Sequence, residues 1–258
     1  MKKYALVTGA SRGIGKSIAI QLAGKGYHLL LTSRSEAELA DLAEMITKRF
    51  AVEAHFFSTD LTDGAAVDGL VNWVAQLQVP LTVLINNAGY GLWGKFNELP
   101  LNEQLQMFQV NVNTVVALSH LLMPLLHRQP RAYILNVAST AAYQAVPTLA
   151  VYGASKAAVL SFSRALRHEL RKTSVSVTCL CPGPTDTAFA SRAGMEKLAE
   201  LAAKFNMSPD EVAAIGLKGM FERKPEVIPG TLNKLSAFMV RLLSKNFVEN
   251  ISGKLYDK

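Results

Sequence analysis

The chain is short of the residues that staple or metallate small folds. Only two cysteines occur in 258 residues, Cys179 and Cys181, on either side of Leu180 in an apparent buried strand. No disulfide framework can be built from so few, and the cytoplasm is the expected compartment. At i and i+2 the two thiols share a strand face. Reduced core packing is the default reading, and a vicinal metal or redox pair is the alternative. The histidines (His28, His55, His120, His127 and His168) show no metal-ligand spacing, so no metal site is expected. No apolar run approaches the ~18 residues of a membrane span. Residues 1–7 enter a strand at once without an apolar h-region, so no signal peptide is expected. Internal repeats, low-complexity tracts and linkers are also missing, which leaves one domain over residues 1–258.

What is present suits a large core. Half the residues are hydrophobic and only 18% are charged, a balance that excludes extensive disorder. The net charge of +7 raises nucleic acid and anionic membrane as partners. The basic residues are dispersed, however, and no basic stripe interleaved with aromatics appears. An anionic cofactor accounts for part of the bias, and no nucleic-acid partner is expected.

Short apolar runs alternate with helical periodicity. Strands are expected at residues 4–8, 28–32, 54–58, 82–86, 132–138 and 176–181, with a last short one at 227–228. Helices are expected at 14–25, 36–50, 65–77, 102–126 and 148–171. Another starts at Ser208, followed by Pro209 at N1 and early acids, and an amphipathic helix follows through Leu235, Phe238, Leu242 and Leu243. Alternation with helices this long implies parallel pairing, and strands this apolar imply helices on both sheet faces. The predicted fold is α/β, a doubly wound, Rossmann-like, mostly parallel sheet of about seven strands. Ligands of such sheets bind at the carboxyl ends of the strands near the switch point.

The chemistry-bearing residues fall at those ends. Gly9, Ser11, Arg12, Gly13, Ile14 and Gly15 lie between the first strand and the first helix, in G-x-x-x-G-x-G spacing. Glycines there allow positive φ and close approach of a pyrophosphate, whose charge the helix N-terminus favours. The second strand ends in Ser33-Arg34, where a carboxylate would bind ribose hydroxyls and repel a 2′-phosphate. Arg34 and Arg12 are expected to clamp that phosphate, so NADP(H) is preferred over NAD(H). Tyr152 and Lys156, at i and i+4, share a helix face roughly 6 Å apart along the axis. A nearby ammonium stabilises phenolate and brings the phenol toward the range of an acid/base catalyst. Ser139, at the end of the preceding strand, is placed to hold a carbonyl oxygen.

Together these segments closely resemble the short-chain dehydrogenase/reductase superfamily in its single-domain branch of roughly 250 residues. The likeness rests on residues 8–15, Asp60-Leu61, Asn86-Asn87-Ala88-Gly89, Asn111, Ser139, Tyr152, Lys156 and Pro182-Gly183-Pro184-Thr185-Asp186-Thr187. It implies that Asp60 and Leu61 flank the adenine and that Asn87, Ala88 and Gly89 line the adenosine ribose and pyrophosphate. It implies that Asn111 holds a water in a proton relay from Lys156, that Ser139 orients the carbonyl and that Tyr152 moves the proton. Lys156 would bind the nicotinamide ribose, and Pro182, Gly183, Thr185 and Thr187 would contact the nicotinamide end.

The implied activity is NADPH-dependent interconversion of a carbonyl and an alcohol, in a homodimer or homotetramer. The ending lacks the paired-glycine strand of the tetrameric β-ketoacyl reductases. It looks more like a bacterial branch of the superfamily that is distantly similar to the 17β-hydroxysteroid and long-chain 3-ketoacyl reductases. Residues 185–224 are expected to form the substrate lid, with Phe189, Met195, Leu198, Leu201, Phe205 and Met207 as a greasy wall opposite Tyr90, Leu92, Trp93 and Phe96. A hydrophobic or acyl substrate follows. A 3-oxoacyl thioester reductase, a nucleotide-sugar epimerase and a non-catalytic NADPH-binding regulator are the competing readings.

Overall fold

The structure, a computed structural model, describes residues 2–187, 193 and 206–256. A seven-stranded sheet in the order β3-β2-β1-β4-β5-β6-β7 forms its centre, and every neighbouring pair is parallel. The strands are β1 (Tyr4–Thr8), β2 (His28–Ser33), β3 (Ala54–Ser58), β4 (Leu81–Asn86), β5 (Ala132–Val137), β6 (Val175–Leu180) and the two-residue β7 (Glu226–Val227). Crossover helices are α1 (Gly13–Ala23), α2 (Glu36–Phe50), α3 (Ala65–Gln76), α4 (Leu101–Phe108), α5 (Thr114–Leu121), α6 (Met123–His127) and α7 (Ala150–Glu169). After β6 come α8 (Pro209–Phe221), α9 (Thr231–Met239) and α10 (Lys245–Tyr256).

The apolar strands form the middle of the sheet because both faces are covered. Ala5, Val7, Leu29, Leu31, Val83 and Ile85 bury into one core with α1, α2 and α8. Their neighbours Tyr4, Leu6, Leu30, Leu81 and Leu84 bury into the other with α3, α5 and α6. The period of two holds along β1 and β2 and slips once in β4, between Leu81 and Val83, where its register with β1 shifts; both phases are hydrophobic. The chain winds outward from β1 to β3 and then returns to place β4 on the other side of β1. The crevice between the β1 and β4 ends is therefore the switch point.

Two expectations are corrected. The helix expected over 102–126 is interrupted by a π-helical turn, Gln109–Asn113, and again at Leu122, where Pro124 opens α6. Proline cannot donate to the preceding turn, which accounts for the second break. The helix expected through Leu243 ends at Met239, and a second helix, α10, follows the turn. Small shifts occur elsewhere: the last strand is Glu226–Val227 rather than 227–228. The helix opened by Ser208 has the full capping box, with the Ser208 hydroxyl accepting from the Glu211 N–H and Glu211 accepting from the Ser208 N–H. Of the expected lid, residues 188–192 and 194–205, including Phe189, Met195, Leu198, Leu201 and Phe205, lie outside the described residues.

A polar ladder crosses the core beneath the site. The Asn86 amide donates to the Asn136 carbonyl oxygen at 2.8 Å and to Ser119 at 3.2 Å, and Asn136 donates to Ser163 on α7 at 2.9 Å. In a dry interior such bonds are strong and directional. They tie the ends of β4 and β5 to α5 and α7, the helix that carries Tyr152 and Lys156.

Candidate active site

Gly9 leaves β1 with φ of +65°, a left-handed conformation that glycine adopts without a steric penalty. A side chain at Gly15 would overlap the Gly9 carbonyl oxygen and the Asn87 amide, so this helix start closes directly on the β4 end. Thr8 supplies the stitching. Its hydroxyl accepts from the Asn87 and Ala88 N–H groups at 3.0 and 2.9 Å and donates to the Ile85 carbonyl. Asn87 in turn donates to the Thr8 and Gly9 carbonyls. Thr187 meets Gly13 from the far side, so residues from three strand ends gather around one loop.

At the β2 end, Ser33 carries a buried hydroxyl that has no hydrogen-bond partner. The two arginines beside it do have partners. Arg12 forms a 2.8 Å ion pair with Glu38, and Arg34 lies 3.9 Å from Asp60. Burial alone would raise the Glu38 carboxyl, but hydrogen bonds from Arg12 and Ser11 outweigh it and hold the group below its usual range. Ser11, Arg12, Gly13, Lys16 and Glu38 line an open recess of about 640 Å³. Asp60 also accepts from the Thr62 N–H, whereas the Leu61 side chain is part of the core. Only the backbone of Leu61 is left to serve a ligand.

At the other end of the crevice, Tyr152 and Lys156 are both buried on α7. The Lys156 ammonium lies 5.8 Å from the centre of the Tyr152 ring and donates to the Val137 carbonyl at 3.1 Å. Burial lowers the Lys156 pKa from 10.5 to about 8, against an opposing pull from Cys179 and Cys181 beneath it. The two thiols are buried and 3.7 Å apart. Ser139, at the end of β5, accepts from the Ala141 N–H at 3.1 Å and caps a short 3₁₀ turn.

Asn111 occupies the π turn and is 1% exposed. Its amide pairs both ways with the Tyr90 backbone, at 3.1 and 3.0 Å, and donates to Ser155 at 3.0 Å. Ser155 passes the chain to the Tyr152 carbonyl at 2.7 Å. A side chain at Gly89 would meet Asn111 and Lys156 together, so β4, the π turn and α7 converge on one point. After β6, the Pro182 carbonyl accepts from Thr140, Thr185 donates to the Gly183 carbonyl, and Gly183 abuts Asn233.

Every predicted site residue thus lies at the strand ends or on the helix that follows. Tyr90, Leu92 and Trp93 pack in one cluster with Met107, Val146, Leu149 and Tyr152. Phe96 does not join them and is 62% exposed. Sequence reasoning missed Glu38, Ser155 and the role of Thr8. Only Ser155 left a local signal, its place between Tyr152 and Lys156.

The short chain dehydrogenase family matches residues 3–198. The chain belongs to that family. An uncharacterized oxidoreductase from Staphylococcus epidermidis is 32% identical over 186 residues, covering 72% of this chain and 79% of its own. Among solved structures, a short-chain dehydrogenase/reductase from Burkholderia phymatum in complex with NAD superposes with a TM-score of 0.85 at 26% identity, covering 92% of each chain. A short-chain dehydrogenase from Sphingobium yanoikuyae in complex with NADPH gives 0.80 at 26%, covering 94% of each. The chain is therefore a Rossmann-like oxidoreductase. Its glycine turn, the unpartnered Ser33 hydroxyl and the buried Lys156 fit a nicotinamide dinucleotide laid along the crevice. No helix among the described residues is long and apolar enough to cross a membrane.

Proposed function

We propose that this short-chain dehydrogenase interconverts a carbonyl and an alcohol with NADP(H), on a hydrophobic or acyl substrate. The observation that carries this reading is the buried Lys156 ammonium beside the Tyr152 ring, in reach of the strand end that bears Ser139. A nicotinamide dinucleotide bound in the crevice supplies or accepts the hydride. Tyr152 donates the phenol proton to the carbonyl oxygen as the alcohol forms, and takes it back in the reverse direction. Ser139 holds that oxygen. The Lys156 ammonium favours the phenolate and has donors to offer the ribose hydroxyls. Asn111, fixed by Tyr90 and Ser155, presents a π-turn backbone at which a relay water can rest.

The preference for NADP(H) rests on Arg12 and Arg34 around the neutral Ser33. One solved neighbour holds NAD and another NADPH, so likeness alone does not decide the cofactor. The Tyr90, Leu92 and Trp93 wall beside Tyr152 supports a greasy substrate. Exposed Leu101, Leu105, Val116 and Leu121 on α4 and α5 support self-association into a homodimer or homotetramer. The deciding experiment is an NADPH-oxidation screen against ketones, 3-ketoacyl thioesters, steroids and sugars, run with Tyr152→Phe in parallel. Turnover of any hit should fall by about 10²–10⁴-fold in the variant while NADPH binding persists. Full activity in Tyr152→Phe sinks the proton-donor assignment.

A further inference from the structure

Of the fourteen exposed large apolar side chains among the described residues, eight lie between residues 232 and 251. On α9, Ala237 faces the protein while Leu232, Leu235 and Phe238 point outward, each more than half exposed. Leu242 in the turn is 66% exposed, and on α10 Phe247 and Ile251 continue the surface while Val248 and Ser252 anchor the helix. This is the reverse of a helix packed on a core, whose apolar stripe faces inward. A concentration of exposed apolar side chains in one segment marks an interaction site.

Its charge identifies the partner. Lys234, Arg241, Lys245 and Lys254 are exposed in the same segment, against the single acid Glu249 within residues 231–254. An outward apolar stripe edged by lysine and arginine is the pattern of a helix lying in the plane of a bilayer interface. A two-fold contact with a second copy would bring two patches of net positive charge together, with one acid per chain to offset four cations. Self-association also has another apolar face at its disposal, on α4 and α5.

We infer that α9, the turn and α10 form a peripheral docking surface for an anionic lipid bilayer. The surface is fixed to the candidate site. Gln144, in the segment after Ser139, donates to Ser252 on α10 at 3.0 Å, and Arg241 stacks 5.9 Å from the centre of the Tyr143 ring. Asn233 on α9 touches Gly183. Docking therefore brings the mouth of the crevice to the bilayer. Given the carbonyl-reductase reading, this makes a lipid-dissolved carbonyl compound the substrate class.

The test is co-sedimentation of the full chain, without cofactor or substrate, with vesicles of phosphatidylcholine alone or containing about 30% phosphatidylglycerol. Three net positive charges near the surface predict partitioning onto the anionic vesicles stronger by on the order of 100-fold, lost in high salt. Phe238→Glu/Leu242→Glu, both at exposed positions, should abolish binding while leaving the circular dichroism unchanged. Equal partitioning onto the two vesicle types overturns the inference. So does a vesicle-inert protein whose dimer the same double variant dissociates, because the ridge then belongs to a second copy. Since no turnover enters the measurement, a failure here leaves the reductase reading standing, and a failed carbonyl screen leaves vesicle binding standing.

Discussion

Replacing Lys156 by methionine should make the cofactor-free protein more stable at neutral pH relative to its stability in alkali, while destroying function. The ammonium is buried, and its pKa falls from 10.5 to about 8 because burial penalises the charge. An unfolded chain keeps that proton to pH 10.5, whereas the folded chain releases it near 8. Between those limits the native state binds fewer protons, so wild-type stability rises with pH through this window. Each tenfold change in proton affinity is worth about 1.4 kcal/mol, and the whole gap amounts to about 3 kcal/mol. The variant has no such group. Its stability relative to wild type should be greatest below pH 8 and should decline by about 3 kcal/mol by pH 10.5.

Urea unfolding of both proteins without cofactor, at pH 7 and pH 10, measures that difference, and titrations common to the two chains cancel. A wild-type-to-variant difference that stays constant between the two pH values refutes the argument. On the proposed reading such a costly cation has a use. Its hydrogen bond to the Val137 carbonyl leaves the ammonium donors to offer a ligand, and a cofactor bound as proposed would offset the cost of its burial.

Three further outcomes follow from the nucleotide end. Glu38→Gln should tighten NADPH by about two- to fivefold, the worth of an exposed ion pair, with NADH unchanged; titration by fluorescence checks this, and an equal effect on both cofactors counts against a phosphate role for Arg12. Arg34→Asp should weaken NADPH by at least about tenfold more than NADH, and an unchanged ratio removes the clamp. Gly15→Ala forces the Gly9 carbonyl and the Asn87 amide apart, so it should destabilise by about 1–3 kcal/mol and weaken both cofactors, read by thermal shift with and without each.

The parts of the fold legible in the sequence were those written in local pattern. Continuous apolar runs placed β1, β2, β4, β5 and β6 to within a residue or two, because a strand buried on both faces has little alternative use for such residues. The break in the expected helix over 102–126 was half legible. Pro124 could have been read as a helix start, but nothing in the side chains of Gln109 to Asn113 announces a π turn, which is set by packing of Asn111 between Tyr90 and Ser155. For α9 the periodicity found a helix without revealing which side would be covered, and α10 was not foreseen at all. A hydrophobic period measures amphipathicity and says nothing of the partner, so the exposed ridge became visible only with the tertiary structure.

The site divides along the same line. Tyr152 and Lys156 are four residues apart on one helix, and Gly9, Gly13 and Gly15 sit in one turn, so sequence spacing is already geometry. Arg12 and Glu38 are separated by a whole crossover, as are Arg34 and Asp60. Their pairing alters the chemistry read from the arginines alone. Two free guanidinium groups would bind any phosphate, whereas two that already hold carboxylates select a ligand able to displace or share them. A dianionic 2′-phosphate beside the unpartnered Ser33 hydroxyl can do so, and a neutral ribose hydroxyl cannot. Discrimination between the two cofactors on this reading comes from competition between ligand and protein for the same donors: the arginines supply it, and Glu38 and Asp60 each reduce it by the small worth of an exposed ion pair.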